Sequence, residues 1–100
     1  LANVAWRHAR KPAEPYEQDY WARLRALDYP FLRSAPDTAI ATALSFTLSV
    51  PGVHTAIVGT TKPERWRQNA ALLRALPVEE FERIRARWRE VAGASWDGQT

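Results

Sequence analysis

The chain contains no cysteine and no methionine among its 100 residues. Without thiols there can be no disulfide, no thiolate metal site and no cysteine nucleophile, and such a composition suits the cytoplasm. Long apolar runs are missing too. The longest stays under ten residues, and the N-terminus shows no charged region followed by an apolar stretch, so neither a membrane span nor a signal peptide is read. A chain that opens Leu1-Ala2-Asn3 and lacks methionine leads to the expectation that something upstream has been removed.

What remains is sufficient for folding. One hundred residues make one domain at most, burying roughly two-thirds of the surface of the unfolded chain. The hydrophobic share is 46%, with Trp 5, Tyr 3 and Phe 3, too apolar for a disordered segment.

The net charge of +3 comes from 14 cations, 12 of them arginine, against 11 acids. Arg83, Arg85, Arg87 and Arg89 alternate along one stretch, so on a helix they fall on two opposed sides, interleaved with Glu79, Glu80, Glu82 and Glu90. Pairs such as Glu79/Arg83 and Glu82/Arg85 read as a solvated, paired surface. Nucleic acid would need several uncompensated cations on one face. A small basic helical interaction or nucleic-acid-binding protein is the alternative reading.

Residues 1–14 show no sustained period and read as an extended lead-in. Tyr20, Trp21, Leu24 and Leu27 recur at helical spacing after Pro15, which predicts a helix over about 15–28, broken at Tyr29-Pro30. Ser34-Ala35-Pro36-Asp37 has the form of a helix start with a Ser cap. A second helix over about 35–49 then carries an apolar stripe of Ile40, Leu44 and Leu48. His54-Thr55-Ala56-Ile57-Val58 is a short apolar, partly β-branched run suited to a strand buried on both faces, yet the chain offers it no pairing partner. Thr61-Lys62-Pro63-Glu64 reads as a capping box for a third helix over about 62–75, with Trp66, Ala70 and Leu73 on its core side. A fourth helix over about 77–92 places Phe81, Ile84, Trp88 and Val91 on one face, and 93–100 is a tail.

The stretch Ile57 to Asn69 carries the functional signal. A strand ends, Gly59 lets the chain turn, and a helix opens among hydroxyls and cations. The free N–H groups of a helix start favour an anion, Thr60 and Thr61 add hydroxyl donors, and Lys62 adds a charge. Arg65 one turn in can lean back to the same anion, and Gln68 and Asn69 on the same face offer amides to a purine edge. Against this stands a plainer reading, in which Thr61 and Glu64 only cap the helix.

Pro51 to Asn69, P-G-V-H-T-A-I-V-G-T-T-K-P-E-R-W-R-Q-N, resembles the last strand and following helix of the aldo-keto reductases, and A-L-S-F-T-L-S-V before it is similar to that family's seventh barrel helix. The resemblance covers most of residues 34–92. It implies a mainly α segment with one short strand, corresponding to the last units of a (β/α)8 TIM barrel that is incomplete in this chain. The implied cofactor is NADPH in a parent oxidoreductase that reduces aldehydes or ketones. Thr60, Lys62 and Arg65 would meet its 2'-phosphate, and Gln68 and Asn69 its adenine. Gly59, Thr60, Thr61, Lys62, Arg65, Gln68 and Asn69 together form the implied cofactor site. Many relatives have Lys where Gly59 stands, so the grip on phosphate falls on Lys62 and Arg65. Leu1-Ala2-Asn3 would end the loop after the seventh strand. The family's catalytic Asp, Tyr, Lys and His motifs do not occur here, so no catalytic residue is assigned and this chain by itself is expected to be inactive. Tyr16, Tyr20, Tyr29, His8 and His54 read as packing or structural groups. Besides NADP(H), the expected partners are the remainder of the barrel or a second copy.

Overall fold

The computed structural model describes residues 5–96; the expectation for Leu1-Ala2-Asn3 lies outside them. Four α-helices, α1 (Pro15–Leu27), α2 (Pro36–Ser49), α3 (Arg65–Ala71) and α4 (Val78–Val91), are joined by irregular chain, with short 3-10 turns at Ala5–Arg7 and Pro30–Arg33. The mainly helical reading therefore holds. None of these helices is long and apolar enough to cross a membrane.

The helix starts at Pro15 and Pro36 follow from proline's fixed φ and missing N–H, which cost nothing in a first turn. α1 ends where Asp28 takes a left-handed conformation, φ 47°, and its N–H returns to the Leu24 carbonyl. The expected Ser34 cap is not used. Ala35 occupies the cap position of α2 without a side-chain bond, while the Ser34 N–H closes the preceding 3-10 turn on the Phe31 carbonyl. α4 matches its expected span to within one residue at each end.

The expected strand over 54–58 does not form; among the described residues there is no strand at all. Residues 53–60 run as irregular chain between α2 and α3. A strand exists only as half of a ladder, and no second extended segment of the described chain lies beside this one.

α3 is also shorter than the expected 62–75. Lys62 precedes a proline and is thereby disfavoured from helical geometry, so the helix begins at Arg65 instead. The Thr61–Glu64 capping box is absent. Glu64 sits at the cap position without a side-chain bond, and the Lys62 N–H is instead held by Thr60 Oγ1 at 3.1 Å. At the other end the Arg74 N–H donates to Ser45 Oγ at 3.2 Å and the Arg74 guanidinium to Thr42 Oγ1 at 3.0 Å. These bonds to α2 pull residues 72–77 away from a helical path.

The core is small. Ala5, Leu27, Ala39, Ala41 and Ile84 are its buried apolar residues, and Thr42, Ser45 and Asn69 are buried with them. α1 meets α4 through side chains that bond to backbone. Arg87 donates from Nε to the Leu27 carbonyl at 2.8 Å and from a terminal nitrogen to the Ala26 carbonyl at 3.1 Å, filling two orphan acceptors at the α1 C-terminus. The Tyr29 hydroxyl donates to the Ile84 carbonyl at 3.1 Å. Phe46 of α2 stacks on Phe81 of α4 with ring centroids 5.1 Å apart, and Trp96 meets Trp88 edge-on at 5.4 Å, so this part of the expected tail is packed.

Candidate functional site

α2 and α3 flank residues 54–60, and two hollows adjoin that segment. The larger, about 900 Å³, is bounded by Ile40, Leu44 and Thr47 of α2, by residues 55–60, and by Arg65 and Asn69 of α3. The Ile40–Leu44–Leu48 stripe of α2 fronts these hollows and is only half-buried; the side of α2 that is buried carries Ala41, Thr42 and Ser45. The smaller hollow, about 400 Å³, is mainly apolar and lies against Leu48, Trp66 and Leu73, with His54 at its edge.

Of the seven residues expected to form a cofactor site, Gly59, Thr60, Arg65 and Asn69 share the larger groove. Thr61, Lys62 and Gln68 are exposed and do not line it. Arg65 is the first residue of α3 rather than one turn inside it, which places its side chain at the helix entrance. Gln68 and Asn69 are adjacent on the helix yet differ completely in environment: Gln68 is open to solvent, whereas Asn69 is 8% exposed. Gly59 has an ordinary φ, and nothing lies within 4 Å of where its Cβ would be, so the turn here does not require a glycine.

The expected packing side of α3 is not covered. Trp66 is 62% exposed and Leu73 45%, while Asn69 is the buried residue of the helix. Helical spacing carries no information on which side the rest of the chain covers, and it does not separate exposed Gln68 from buried Asn69. Asn69 is largely covered, but its side-chain amide is not a buried unpaired group; it borders the groove without a hydrogen bond to the described residues. An amide at the edge of a groove presents both a donor and an acceptor to the open space.

The electrostatics favour an anion. Among the described residues no carboxylate lines the larger groove. Glu64, the nearest acid in sequence, lies 3.8 Å from Arg67, whose guanidinium also covers the Trp66 ring at 5.1 Å. Lys62 and Arg65 have no acid within ion-pair distance among the described residues. The groove also holds two residues that the sequence did not single out, Trp6 and Arg7. They belong to a lead-in without periodicity, and their only signal was a Trp-Arg pair with no evident packing role.

Other titratable groups serve structure. His8 Nε2 is buried and lies 3.1 Å from a Glu17 carboxylate oxygen, at ion-pair distance but without hydrogen-bond alignment. Burial pushes the Tyr29 hydroxyl above its ordinary value, and the Arg87 charge partly opposes this. The α4 arginines are engaged differently from expectation: Arg87 pairs with Glu90 at 3.1 Å and Arg85 covers the Phe81 ring, whereas Glu79/Arg83 and Glu82/Arg85 are not ion pairs. No group of three or more His, Asp or Glu residues among the described ones could hold a metal ion. In comparisons with known proteins, no family model, curated protein or solved structure matches the chain.

Proposed function

We propose that the groove between α2 and α3 binds the adenosine 2'-phosphate end of NADPH, and that the chain is the cofactor-binding C-terminal part of an aldo-keto reductase. The observation that carries this reading is the meeting of Arg65, Thr60 and the Asn69 amide on one groove with no carboxylate among its described lining residues. Arg65 supplies a planar, permanently charged donor set suited to a phosphate, and the Thr60 hydroxyl lies in the same wall. Asn69 offers both a donor and an acceptor to a purine edge. The apolar side chains of Ile40 and Leu44 form a floor for the base. Lys62, just outside the groove and without an acid partner, adds to the attraction at longer range. A volume of about 900 Å³ suits a nucleotide.

When bound, NADPH supplies the hydride that a parent enzyme would deliver to an aldehyde or ketone. The residues of this chain would contribute cofactor affinity, with Arg65 and Lys62 responsible for preferring a 2'-phosphate. Calorimetric titration with adenosine 2',5'-bisphosphate is expected to give saturable binding, weakened roughly tenfold or more by Arg65→Ala, the loss of one charge-assisted contact. Equal affinity in the variant, or no binding by either protein, would refute the assignment. Binding of an RNA or DNA oligonucleotide with a steep salt dependence would favour the rival reading instead.

A further inference from the structure

The groove has a second wall. Trp6 and Arg7 stand in the 3-10 turn Ala5–Arg7, far in sequence from α3, yet both line the same space as Thr60, Arg65 and Asn69. That turn is fastened to α1. Ala5 is fully buried, the His8 N–H closes on the Ala5 carbonyl at 3.2 Å, and the His8 carbonyl accepts from Trp21 Nε1 and from the Arg25 guanidinium, each at 2.9 Å. A further Arg25 bond reaches the Ala9 carbonyl at 3.1 Å. The turn is thus held by helix side chains, and the residues it presents to the groove have a fixed base.

We propose that Trp6 and Arg7 complete a two-sided nucleotide clamp, in which the Trp6 indole stacks on the base and Arg7 supplies a second cation to the phosphate. This rests on the reading of the groove as a nucleotide site and names the part of the ligand that this wall holds. Trp6 is half-buried, with the Arg7 guanidinium 4.8 Å from its ring centroid. The Arg7 charge is exposed and, among the described residues, has no acid within ion-pair distance and no carboxylate in the groove to neutralise it. Arg7 and Arg65 both border this space, so an anion entering it would be attracted by two cations. An aromatic face, an unpaired amide and two uncompensated guanidiniums together describe a phosphorylated purine nucleoside more closely than an apolar ligand or a bare anion.

The test uses the whole chain and three probes: adenosine 2',5'-bisphosphate, adenosine, and inorganic phosphate. With the bisphosphate, stacking is expected to quench part of the tryptophan fluorescence, and Trp6→Phe should abolish that quench while keeping most of the affinity. Trp6→Leu should weaken the bisphosphate and adenosine alike by roughly 5- to 100-fold, the range found for loss of one stacked base. Arg7→Gln should weaken the bisphosphate about tenfold and leave adenosine unchanged. Circular dichroism identifies any variant that fails to fold, and Arg7→Gln, at an exposed side chain, keeps the test open if Trp6→Leu does. If the quench persists in Trp6→Phe, or Arg7→Gln binds as the parent does while Arg65→Ala is weakened, the clamp is wrong and the nucleotide reading stands. If Arg65→Ala is also without effect, or none of the three probes binds, both fall.

Discussion

Asn69→Leu separates a residue kept for binding from one kept for folding. Asn69 is 8% exposed, and its side-chain amide has no partner among the described residues. Leaving an amide fully buried and unpaired costs about 1–3 kcal/mol, and the Asn69 amide is not fully buried. The lower end applies here, because the remaining exposure opens to the groove and solvent relieves part of the penalty. Leucine has a similar size, a helix propensity better by a few tenths of a kcal/mol, and adjoining space in both hollows, so overpacking is small. The variant is therefore expected to be more stable by about 1 kcal/mol, which in a domain of this size raises Tm by roughly 4–8 °C. Thermal unfolding followed by circular dichroism measures this, and titration with adenosine 2',5'-bisphosphate on the same samples should show weaker binding. A variant that melts lower than the parent would refute the reasoning, since the amide would then be serving the fold.

Two further outcomes follow from the packing of α1 on α4. Arg87→Ala removes two bonds to the last carbonyls of α1 and a contact with Glu90, and urea unfolding should show a loss of about 2 kcal/mol, tempered by the partial exposure of that side chain. Arg87→Lys should recover only part of it, because an ammonium cannot span both carbonyls as the planar fork does; full recovery would show that charge alone matters. Tyr29 has a folded-state pKa raised above 10.0 by burial, so its neutral form is the one the fold favours. Its contribution is complete below the unfolded value near 10 and is lost as pH rises through the folded value. Tyr29→Phe, lacking the bond to the Ile84 carbonyl, should therefore cost about 1 kcal/mol at neutral pH, and the gap to the parent should narrow above pH 10. Melting temperatures of the two proteins across pH 7–11 check this, and a constant gap would count against it.

Local signals in the chain were sufficient for most helices. Pro15 and Pro36 mark two starts, Asp28 before Tyr29-Pro30 marks a stop, and the spacing of Phe81, Ile84, Trp88 and Val91 delimits α4, because each of these effects acts within one or two turns. The site was legible in part for the same reason: Thr60, Arg65 and Asn69 are close in sequence and were read together. Trp6 and Arg7 were not, since nothing local records that a lead-in turn would be tied to α1 and brought to the same hollow as α3.

By itself, then, the sequence determined where most of the backbone could be helical. Only the tertiary structure decided which side is covered. It buried Asn69 and exposed Trp66, turned the Ile40–Leu44–Leu48 stripe toward open hollows, and shortened α3 by drawing Arg74 to Thr42 and Ser45. It also left residues 54–58 without a ladder, because a strand is a relation between two segments and its hydrogen bonds cannot be supplied by one run of apolar residues.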